Sequence, residues 1–563
     1  MSAAVTRVKF YKNESLILSL ISACVLLTGA VTVLGVLFAQ SRLGAERLFR
    51  LDGHVTLLVG LTLIYLSTLL RRGKHMAWLI ALPLYAYIVI RNLRRFSADL
   101  SSSMHNTLFI TLNLIVPLVA LAGLIAGHHY FRVRSQNDNF RGAFGKAALV
   151  LLVAFFYGVI GFQLLDEHDF HQEFSWVTGA HYTVDQLNIT TNSQLHPYTR
   201  RAKLFLGSLA TISAGSLFYV GVSLFAPIRF RLSDQPHSRE ALKQLLQKYP
   251  ASSEDFFKLW PHDKAYFFST TGHSALAYRV KNGVALVVGD VVGARVDFIK
   301  LIPEFMEVCY VNDWLPAFIH TEQKYNSLYK KMGFSIQKIG EEAVIDIPEF
   351  QTKVASNKYF RNIKNRFVRE NYSCQIFNPP HDNKLLHQLR YISNQWLEAP
   401  GRSERTFMMG YFDENYLQQC TLLVAFDAHG QPQAFINQIP SFDKQEANFD
   451  FLRSAKDALG NINDFMMLNF IDYSAGQGYK RLNLGLSPLT GLKRTDVVDT
   501  EITALDNALQ FVYTAGGRFY SFAGLKRFKD KYEPNWQNRY IVYKGGWPGF
   551  GRVMNALVRA MKV

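Results

Sequence analysis

Cysteine is scarce in this 563-residue sequence, and the short motifs that often reveal a metal or nucleotide enzyme are missing. The four cysteines, Cys24, Cys309, Cys374 and Cys420, form no CxxC or CxxH pair, so neither a zinc motif nor a disulfide framework is indicated. The sequence has no P-loop, no GxGxxG after a strand, no HExxH and no GxSxG. We therefore expect no bound metal and no cofactor, and we interpret the thiols beyond the apolar N-terminal part as reduced.

Basic residues outnumber acidic ones. The sequence has 61 Lys and Arg residues against 44 Asp and Glu residues, a net charge of +17. This excess favours anionic partners such as nucleic acid or acidic lipid headgroups. A basic composition is also typical of membrane proteins, whose inner loops are rich in Lys and Arg. The charge alone therefore does not select a partner.

Six apolar segments in the first 230 residues are candidates for membrane spans, each of which needs about 20 residues. They cover residues 16–39, 55–70, 76–90, 108–127, 147–165 and 204–226. The first is too long for the apolar core of a signal peptide, and no small-residue cleavage site ends it. We predict an α-helical transmembrane domain of about six spans over residues 1–230.

The loop charges predict the orientation of these spans. Basic residues precede the first span, fill the turn at 71–74 and recur at 132–146, whereas the loop after Asp166 begins with acidic and histidine residues. An arrangement with both termini inside fits this distribution, although basic clusters at 42–50 and 91–95 would then lie outside. The prediction places Arg229 and everything after it in the cytoplasm of a bacterial cell, at its inner membrane.

Short apolar runs alternate with helical patterns beyond residue 231. Residues 284–288 and 317–320 read as strands, and residues 296–309 and 324–332 as helices. A second round begins near Cys374, with strand-like runs at 422–426, 434–439 and 481–486 and a helix-like run at 464–477. This alternation predicts α/β structure in two similar units, at 231–352 and 374–550.

A basic segment, 353–373, joins the two predicted units. Phe360, Ile363 and Phe367 recur at helical spacing among six Lys and Arg residues, which predicts an amphipathic basic helix. It is either a solvated surface helix or a surface that binds phosphates. The tail 551–563 is also basic and amphipathic, and it either lies on a membrane surface or packs on the preceding domain.

Residues 478–540 combine glycine, aromatic and basic residues densely. This stretch contains GYKRLNLGLSPLTGL at 478–492 and GLKRFKDKYEPNW at 524–536. Further motifs precede it, namely VGDVVG at 288–293, YKKMGF at 329–334, SNQWL at 393–397, GYFD at 410–413 and DFLR at 450–453. In this order the motifs resemble the aminoacyl-phosphatidylglycerol synthase family, also called the multiple peptide resistance factor family, which includes phosphatidylglycerol lysyltransferases. The resemblance covers residues 235–545, and GVIGFQLLD at 158–166 extends it into the apolar region.

The resemblance implies two GNAT-like acyltransferase folds joined by the basic helix. It also implies a reaction in which an aminoacyl group, with lysine favoured, moves from aminoacyl-tRNA to a hydroxyl of phosphatidylglycerol. Such a lipid would lower the negative charge of the membrane surface and make the cell resistant to cationic antimicrobial peptides. An aminoacyl ester is already activated, so the enzyme must align the reactants, assist proton transfer and stabilise an oxyanion. The expected partners are aminoacyl-tRNA and phosphatidylglycerol, with a homo-oligomer through the membrane domain left open.

The candidate catalytic residues are two pairs. Asp450 and Arg453 follow the strand-like run 447–449 at a spacing of three, where the acid would orient the amine or take the hydroxyl proton and the base would bind a phosphate or the tRNA end. Lys529 and Lys531 alternate on a stretch that we read as extended, so they would share one face and bind an oxyanion or phosphate. A surface ion pair and ordinary solvated lysines are the simpler interpretations. The candidate tRNA or phosphate ligands are Lys358, Arg361, Lys364, Arg366, Arg369 and Arg539.

Two residues depart from the family pattern, and two other functions stay open. Tyr411 and Arg405 stand where the family usually has Arg and Lys, which would alter tRNA or amino-acid selectivity. Because the long members carry about eight further N-terminal spans that act as a flippase, we expect a synthase without that module. A GNAT enzyme that uses acyl-CoA is the first alternative, although the sequence shows no pyrophosphate loop for it. A non-catalytic protein for lipid transport or sensing is the second.

Overall fold

The computed structural model describes residues 16–34, 51–98, 114–133, 138–165, 167–187, 195–223, 236–488 and 522–563. They form two compact units, one made mainly of residues 6–229 and one made mainly of residues 230–563. Residues 489–521, which include part of the motif at 478–492, and residues 224–226 of the last predicted span lie outside the described residues.

The first unit is helical. Its helices are α1 (Leu16–Leu34), α2 (Leu51–Arg71), α3 (His75–Ala98), α4 (Val116–Ala126), α5 (Asp138–Leu164), α6 (Trp176–Leu187) and α7 (Arg200–Ser223), with a single turn at Glu167–Phe170. By length and composition, three stretches of the described helices could cross a membrane: Leu16–Leu34, Phe144–Leu164 and Arg200–Val220. The apolar stretches at Val59–Arg71, His75–Ile90 and Val116–Ala126 are shorter. The count of six spans therefore stays a prediction, and α6 was not predicted.

Two glycines let α5 approach its neighbours closely. A Cβ atom added at Gly158 would lie 2.3 Å from a methyl carbon of Thr183 on α6, and one at Gly161 would lie 2.2 Å from the ring of Phe205 on α7. Small residues bring helix backbones together in this way inside membranes. The outward side of α5 is apolar, with Val153 61% exposed, as expected for a surface that faces lipid.

The second unit is built on one mixed sheet of twelve strands. The strands are β1 (Ala265–Phe268), β2 (Ser274–Lys281), β3 (Val284–Val288), β4 (Val292–Gly293), β5 (Leu315–Glu322), β6 (Ser335–Asp346), β7 (Ser373–Phe377), β8 (Thr421–Phe426), β9 (Pro432–Gln438), β10 (Glu446–Ser454), β11 (Arg481–Pro488) and β12 (Asn535–Tyr543). Their order is β1-β2-β3-β5-β12-β6-β11-β10-β9-β8-β7, with β4 paired to β2. The β3–β5 and β10–β11 pairs are parallel and the others are antiparallel. The predicted α/β class is confirmed for this region.

Strand β12 corrects the prediction of two consecutive units. It comes from the stretch assigned to the second unit, yet it lies between β5 and β6 of the first and pairs with both. The pairing joins the two predicted units in one sheet, so no separate sheet begins at residue 374. Apolar alternation could not reveal this, because it reports which side of a strand is buried and not which strand lies beside it.

Helices cover both sides of the sheet. They are α8 (Pro236–Lys248), α9 (Arg295–Val311), α10 (Asn326–Lys331), α11 (Lys358–Arg369), α12 (Asn383–Leu397), α13 (Ile462–Gly476), α14 (Phe522–Asp530) and α15 (Gly546–Ala560). In the N-terminal half, Leu301 and Phe305 of α9 pack against β3 and β5. In the C-terminal half, α11 and α13 share a core that includes the parallel rings of Phe367 and Phe465, whose centroids lie 4.3 Å apart.

The tail predicted at 551–563 belongs to helix α15. Its apolar residues Phe550, Val553 and Leu557 are buried against Val284 and Leu286 of β3. Of the two alternatives for this segment, the structure therefore shows packing on the domain, because the apolar face is already covered by the sheet.

Candidate active site

Asp450 lies within β10, where the pairing with β9 shifts register between Phe449 and Leu452. Its position inside the strand corrects the prediction that it follows one. The Oδ2 atom accepts hydrogen bonds from the Tyr416 hydroxyl and from the Gly410 amide, both at 2.8 Å. Burial raises the pKa of Asp450 to about 7, and these two hydrogen bonds oppose the rise. Asp450 as a whole residue is half-buried.

Tyr416 is held firmly behind this carboxyl. Its ring lies parallel to the indole of Trp260, with centroids 5.5 Å apart, and Phe256 stacks on it at 6.0 Å. The Asn437 side chain donates to the Tyr416 hydroxyl at 3.1 Å. Gly410 lies close to both groups, because a Cβ atom added there would lie within 2.5 Å of both Asp450 Oδ2 and the Tyr416 ring. Together, Tyr416 and Gly410 form what we call the seat of Asp450. The acid therefore has one fixed orientation.

Arg453 lies in the same strand and is buried, with its guanidinium already occupied. Nη1 and Nη2 donate to the two carboxylate oxygens of Glu404 at 2.7 and 2.8 Å, and Nη1 also donates to the Ser393 hydroxyl. The Trp396 ring covers the guanidinium at 4.9 Å. This is a bidentate ion pair, and such charge-assisted hydrogen bonds are stronger than those between neutral groups. A direct contact of Arg453 with phosphate would require Glu404 to leave, so we interpret Arg453 as a positioning residue beside Asp450.

Lys529 and Lys531 do not share a face, contrary to the prediction. Lys529 is near the end of α14 and Lys531 follows that helix, so the alternation of an extended strand does not apply. Lys529 Nζ donates to the carbonyls of Gly485 and Leu486 at 2.7 and 3.1 Å. Lys531 Nζ instead pairs with Asp464 at 2.9 Å.

Lys529 is the more unusual lysine of the two, since only 4% of it is exposed. Burial lowers its pKa to about 7, and the charges of Glu342 and Glu254 oppose that shift. Arg539 belongs to the same neighbourhood, because its Nη2 donates to Glu342 Oε2. The structure thus groups Lys529 with Arg539, and Asp450 with Arg453.

A cleft with about 490 Å³ of empty space, which includes space open to solvent, is lined by Arg539 but not by Asp450, Arg453 or Lys529. Its walls come from residues 251–258, from the end of β3, from β5 and β12, and from Met408. His320 is the extra residue of a bulge in β5, since Ile319 and Thr321 pair with successive residues of β12, and its φ is +68°. Positive φ in a non-glycine residue is strained and concentrates at functional sites. One segment connects the two clusters, because Glu254 lines the cleft while Phe256 packs on Tyr416.

The predicted phosphate ligands of the basic helix lie on α11. Lys358, Arg361 and Arg369 are exposed and have no acidic partner within 4 Å among the described residues. Lys364 pairs with Asp472 at 3.1 Å. Arg366 is half-buried and directs Nη1 to the Gly460 carbonyl. The three unpaired cations thus form the outward charge of this helix, and Arg539 is not among them because it is buried at Glu342.

Sequence reasoning missed Tyr416, Glu404, His320, Glu342 and Glu254. Tyr416 and Glu404 stand 34 and 49 residues before their partners Asp450 and Arg453, so no local spacing connects them. The GYFD motif at 410–413 was the one available signal, because it contains the glycine that seats Asp450.

Comparison with known proteins places these residues in a family. The family described as "Phosphatidylglycerol lysyltransferase, C-terminal" matches residues 243–543. Phosphatidylglycerol lysyltransferase of Bacillus subtilis is 30% identical over 284 residues, which are 50% of this chain and 32% of that protein. The Staphylococcus haemolyticus protein of the same name is 28% identical over 55% of this chain and 36% of its own length. The matches therefore span about a third of these relatives.

Two solved structures are similar to the second unit. L-PGS from Bacillus licheniformis is 27% identical with a TM-score of 0.51, covering 59% of this chain and 98% of that one. The C-terminal domain of a putative lysylphosphatidylglycerol synthetase from Agrobacterium fabrum, at 23% identity and a TM-score of 0.50, covers 58% of this chain and 97% of that one and shows the same fold. Because the family match covers more than half of the sequence, this chain belongs to the phosphatidylglycerol lysyltransferase C-terminal family.

Proposed function

We propose that this chain transfers an aminoacyl group, with lysine as the favoured one, from aminoacyl-tRNA to a hydroxyl of phosphatidylglycerol. The reaction would take place at the cytoplasmic face of a bacterial inner membrane. The family membership and the names of the relatives support the lipid chemistry, and the apolar helices of the first unit support the location. The proposal includes the six-span topology, two GNAT-like folds that share one sheet, and self-association through the membrane helices.

The seat of Asp450 is the observation that carries the proposal. A general base works best when its pKa lies near the operating pH, and burial brings this carboxyl to about 7. Tyr416 and Gly410 both hold Oδ2, while Oδ1 has no hydrogen-bond partner among the described residues. We assign Oδ1 to the proton transfer.

The reaction balances without a cofactor. Asp450 takes the proton of the lipid hydroxyl while that oxygen attacks the ester carbonyl of the aminoacyl-tRNA. The tetrahedral intermediate then collapses, the bond to the ribose oxygen breaks, and the same proton passes to that leaving oxygen. Asp450 returns to its starting state, and the ester bond has moved from ribose to lipid. The charge of Arg453 favours the carboxylate form of Asp450, and the charge of Glu404 opposes that effect.

The exposed face of α11 supports a nucleic acid as the donor. Lys358, Arg361 and Arg369 present charge to solvent, whereas Phe360 and Ile363 hold the opposite face in the core. Clustered cations bind a phosphate backbone by releasing its condensed counterions. A lysyl product would change the lipid headgroup charge from about −1 to about +1, and cationic peptides would then be repelled from the surface.

A reconstituted assay tests the proposal. The full chain in vesicles of phosphatidylglycerol receives tRNA charged with radioactive lysine, and the radioactivity in the lipid phase is measured. We expect lysyl lipid that disappears after RNase treatment and does not depend on coenzyme A. Transfer from an acyl-CoA that persists after RNase treatment would show the alternative acyltransferase, and no transfer from any charged tRNA would contradict the proposal.

A further inference from the structure

A histidine and two glutamates meet at the inner end of the cleft. Glu254 precedes β1, His320 is the bulged residue of β5 and Glu342 lies on β6. Each offers a nitrogen or oxygen atom, and these atoms all lie within 4.8 Å of one another. Neither the transfer reaction nor the Asp450 seat uses this cluster.

Two atoms of the cluster are buried without a hydrogen bond. They are His320 Nε2 and Glu342 Oε1, which have no hydrogen-bond partner among the described residues. The Glu342 side chain is fully buried and that of His320 is 9% exposed. Buried polar atoms normally have partners, so two adjacent exceptions indicate a missing ligand.

The spacing of these atoms fits an ion between them. They lie 3.6 Å apart, which is too long for a hydrogen bond. Two ligands of a tetrahedral ion lie roughly 3.3 Å apart when each is about 2.0–2.1 Å from the metal. A small movement of either side chain therefore gives both atoms bonding distance to one ion.

The surrounding residues hold both atoms in this orientation. Glu254 Oε2 lies 3.2 Å from His320 Nδ1, and a proton on Nδ1 leaves the lone pair of Nε2 free for a metal. Arg539 engages Oε2 of Glu342 and so leaves Oε1 pointing to the histidine. Metal-binding histidines usually donate the other ring N–H to a carboxylate, a backbone carbonyl or water, and Glu254 supplies the carboxylate here.

We propose that Glu254, His320 and Glu342 form a site for a divalent transition-metal ion of the zinc class. His320 Nε2 and Glu342 Oε1 are the ligands, and Glu254 orients the imidazole. Imidazole with carboxylate suits zinc better than magnesium, which prefers oxygen ligands alone. His320 and Glu254 also line the cleft, so the remaining ligand positions open into it and would accept water or an oxygen of a bound molecule. The site departs from the sequence-based expectation that no metal is bound.

Zinc titration of the full chain in detergent micelles, after removal of metals with EDTA and of any affinity tag, tests the proposal. A chromophoric zinc indicator reports the stoichiometry and affinity. We expect one ion per chain, bound more tightly than Mg²⁺, with binding lost in His320→Asn and Glu342→Gln. Glu254→Gln should weaken it about 10- to 100-fold, as expected for a residue behind a metal ligand.

The control is Asp290→Asn, which changes a carboxyl in the same cleft whose oxygens are already bonded to the Tyr329 hydroxyl and the Glu322 amide. It should bind zinc like the unchanged protein. Zinc should also raise the melting temperature of the unchanged protein and of Asp290→Asn, but not that of Glu342→Gln, provided that each variant shows a cooperative transition. No stoichiometric binding by the unchanged protein, or binding by Glu342→Gln and His320→Asn equal to that of the unchanged protein, would overturn the proposal. Neither result depends on transferase activity.

Discussion

The Tyr416 hydroxyl donates to Asp450 Oδ2 at 2.8 Å. In the sequence, Tyr416 precedes strands β8 and β9 and Asp450 follows them, so the bond joins distant parts of the chain. Tyr416 is buried under Trp260 and Phe256, so the bond ties the acid to the core. It also favours the charged carboxylate and opposes the effect of burial on the pKa of Asp450. The reactivity of the acid thus depends on a residue that need not touch the substrate.

Asp450→Asn should abolish most transfer while leaving the fold intact. Loss of a general base lowers kcat by roughly 10²- to 10⁴-fold, with little change in the KM for tRNA. Initial rates of lipid aminoacylation measure this loss, and Asp457→Asn, an exposed aspartate in the next turn, is the matched control. Equal rates for the two variants would remove Asp450 from the mechanism.

The stability of Asp450→Asn gives an independent check. The raised pKa means that between about pH 4 and pH 7 the folded protein binds more protons at this carboxyl than the unfolded chain. This contribution to the free energy of unfolding is therefore present at low pH and is lost as the pH rises through about 7. Melting temperatures from pH 5 to pH 8 should fall less for Asp450→Asn than for the unchanged protein.

Tyr416→Phe should shift the acid limb of the pH–rate profile to higher pH. The variant loses a hydrogen bond that favours the carboxylate, so the pKa of Asp450 should rise and more alkaline solution should be needed for activity. The profile of kcat/KM between pH 5.5 and 9 measures the shift. A uniform fall in rate without a shift would mean that Tyr416 acts only through packing.

Arg453→Met should destabilise the second unit. Removal of Arg453 leaves the partly exposed Glu404 without its two charged bonds, at a cost of about 2 kcal/mol in the free energy of unfolding. Arg390→Met breaks an exposed pair with Glu414 and should cost less than about 1 kcal/mol. Thermal or urea unfolding compares the two variants, and equal small effects would show that the Arg453–Glu404 pair adds little to stability.

Lys529→Met should alter how stability depends on pH. Because the pKa of Lys529 is lowered to about 7, the folded protein binds fewer protons than the unfolded chain between about pH 7 and pH 10. The contribution of Lys529 to the free energy of unfolding therefore rises with pH across that window. Melting temperatures at pH 7 and pH 9 should increase more for the unchanged protein than for the variant, and identical slopes would show that Lys529 is charged in the folded state.

Replacement of Lys358, Arg361 and Arg369 by glutamine should weaken tRNA binding without changing stability. Loss of three phosphate contacts would lower the slope of log affinity against log salt by roughly 2 to 3. Filter binding of charged tRNA at salt concentrations between 50 and 300 mM, carried out for the variant and for the unchanged protein, measures that slope. Lys353→Gln, whose side chain already pairs with Glu349, is the control, and an equal effect from it would argue against a specific surface on α11.

Local sequence patterns revealed some of the elements but not their assembly. The periodicity at 353–373 predicted an amphipathic helix, which the structure shows at Lys358–Arg369, because amphipathicity is a local property. The insertion of β12 between β5 and β6 and the contact of Tyr416 with Asp450 depend on pairings between distant residues. Lys529 and Lys531 were misplaced for a local reason, since α14 extends through Asp530 and replaces the extended stretch on which their shared face depended.

The phospholipids of a bacterial host that makes no aminoacylated lipid test the central claim most directly. Lipids are extracted after expression of the unchanged chain or of Asp450→Asn and are analysed by mass spectrometry. We predict phosphatidylglycerol carrying an added amino acid, with lysine as the main one, in the first sample and its absence in the second. An unchanged lipid spectrum despite stable expression of the unchanged chain, or the same new lipid from both samples, would contradict the account.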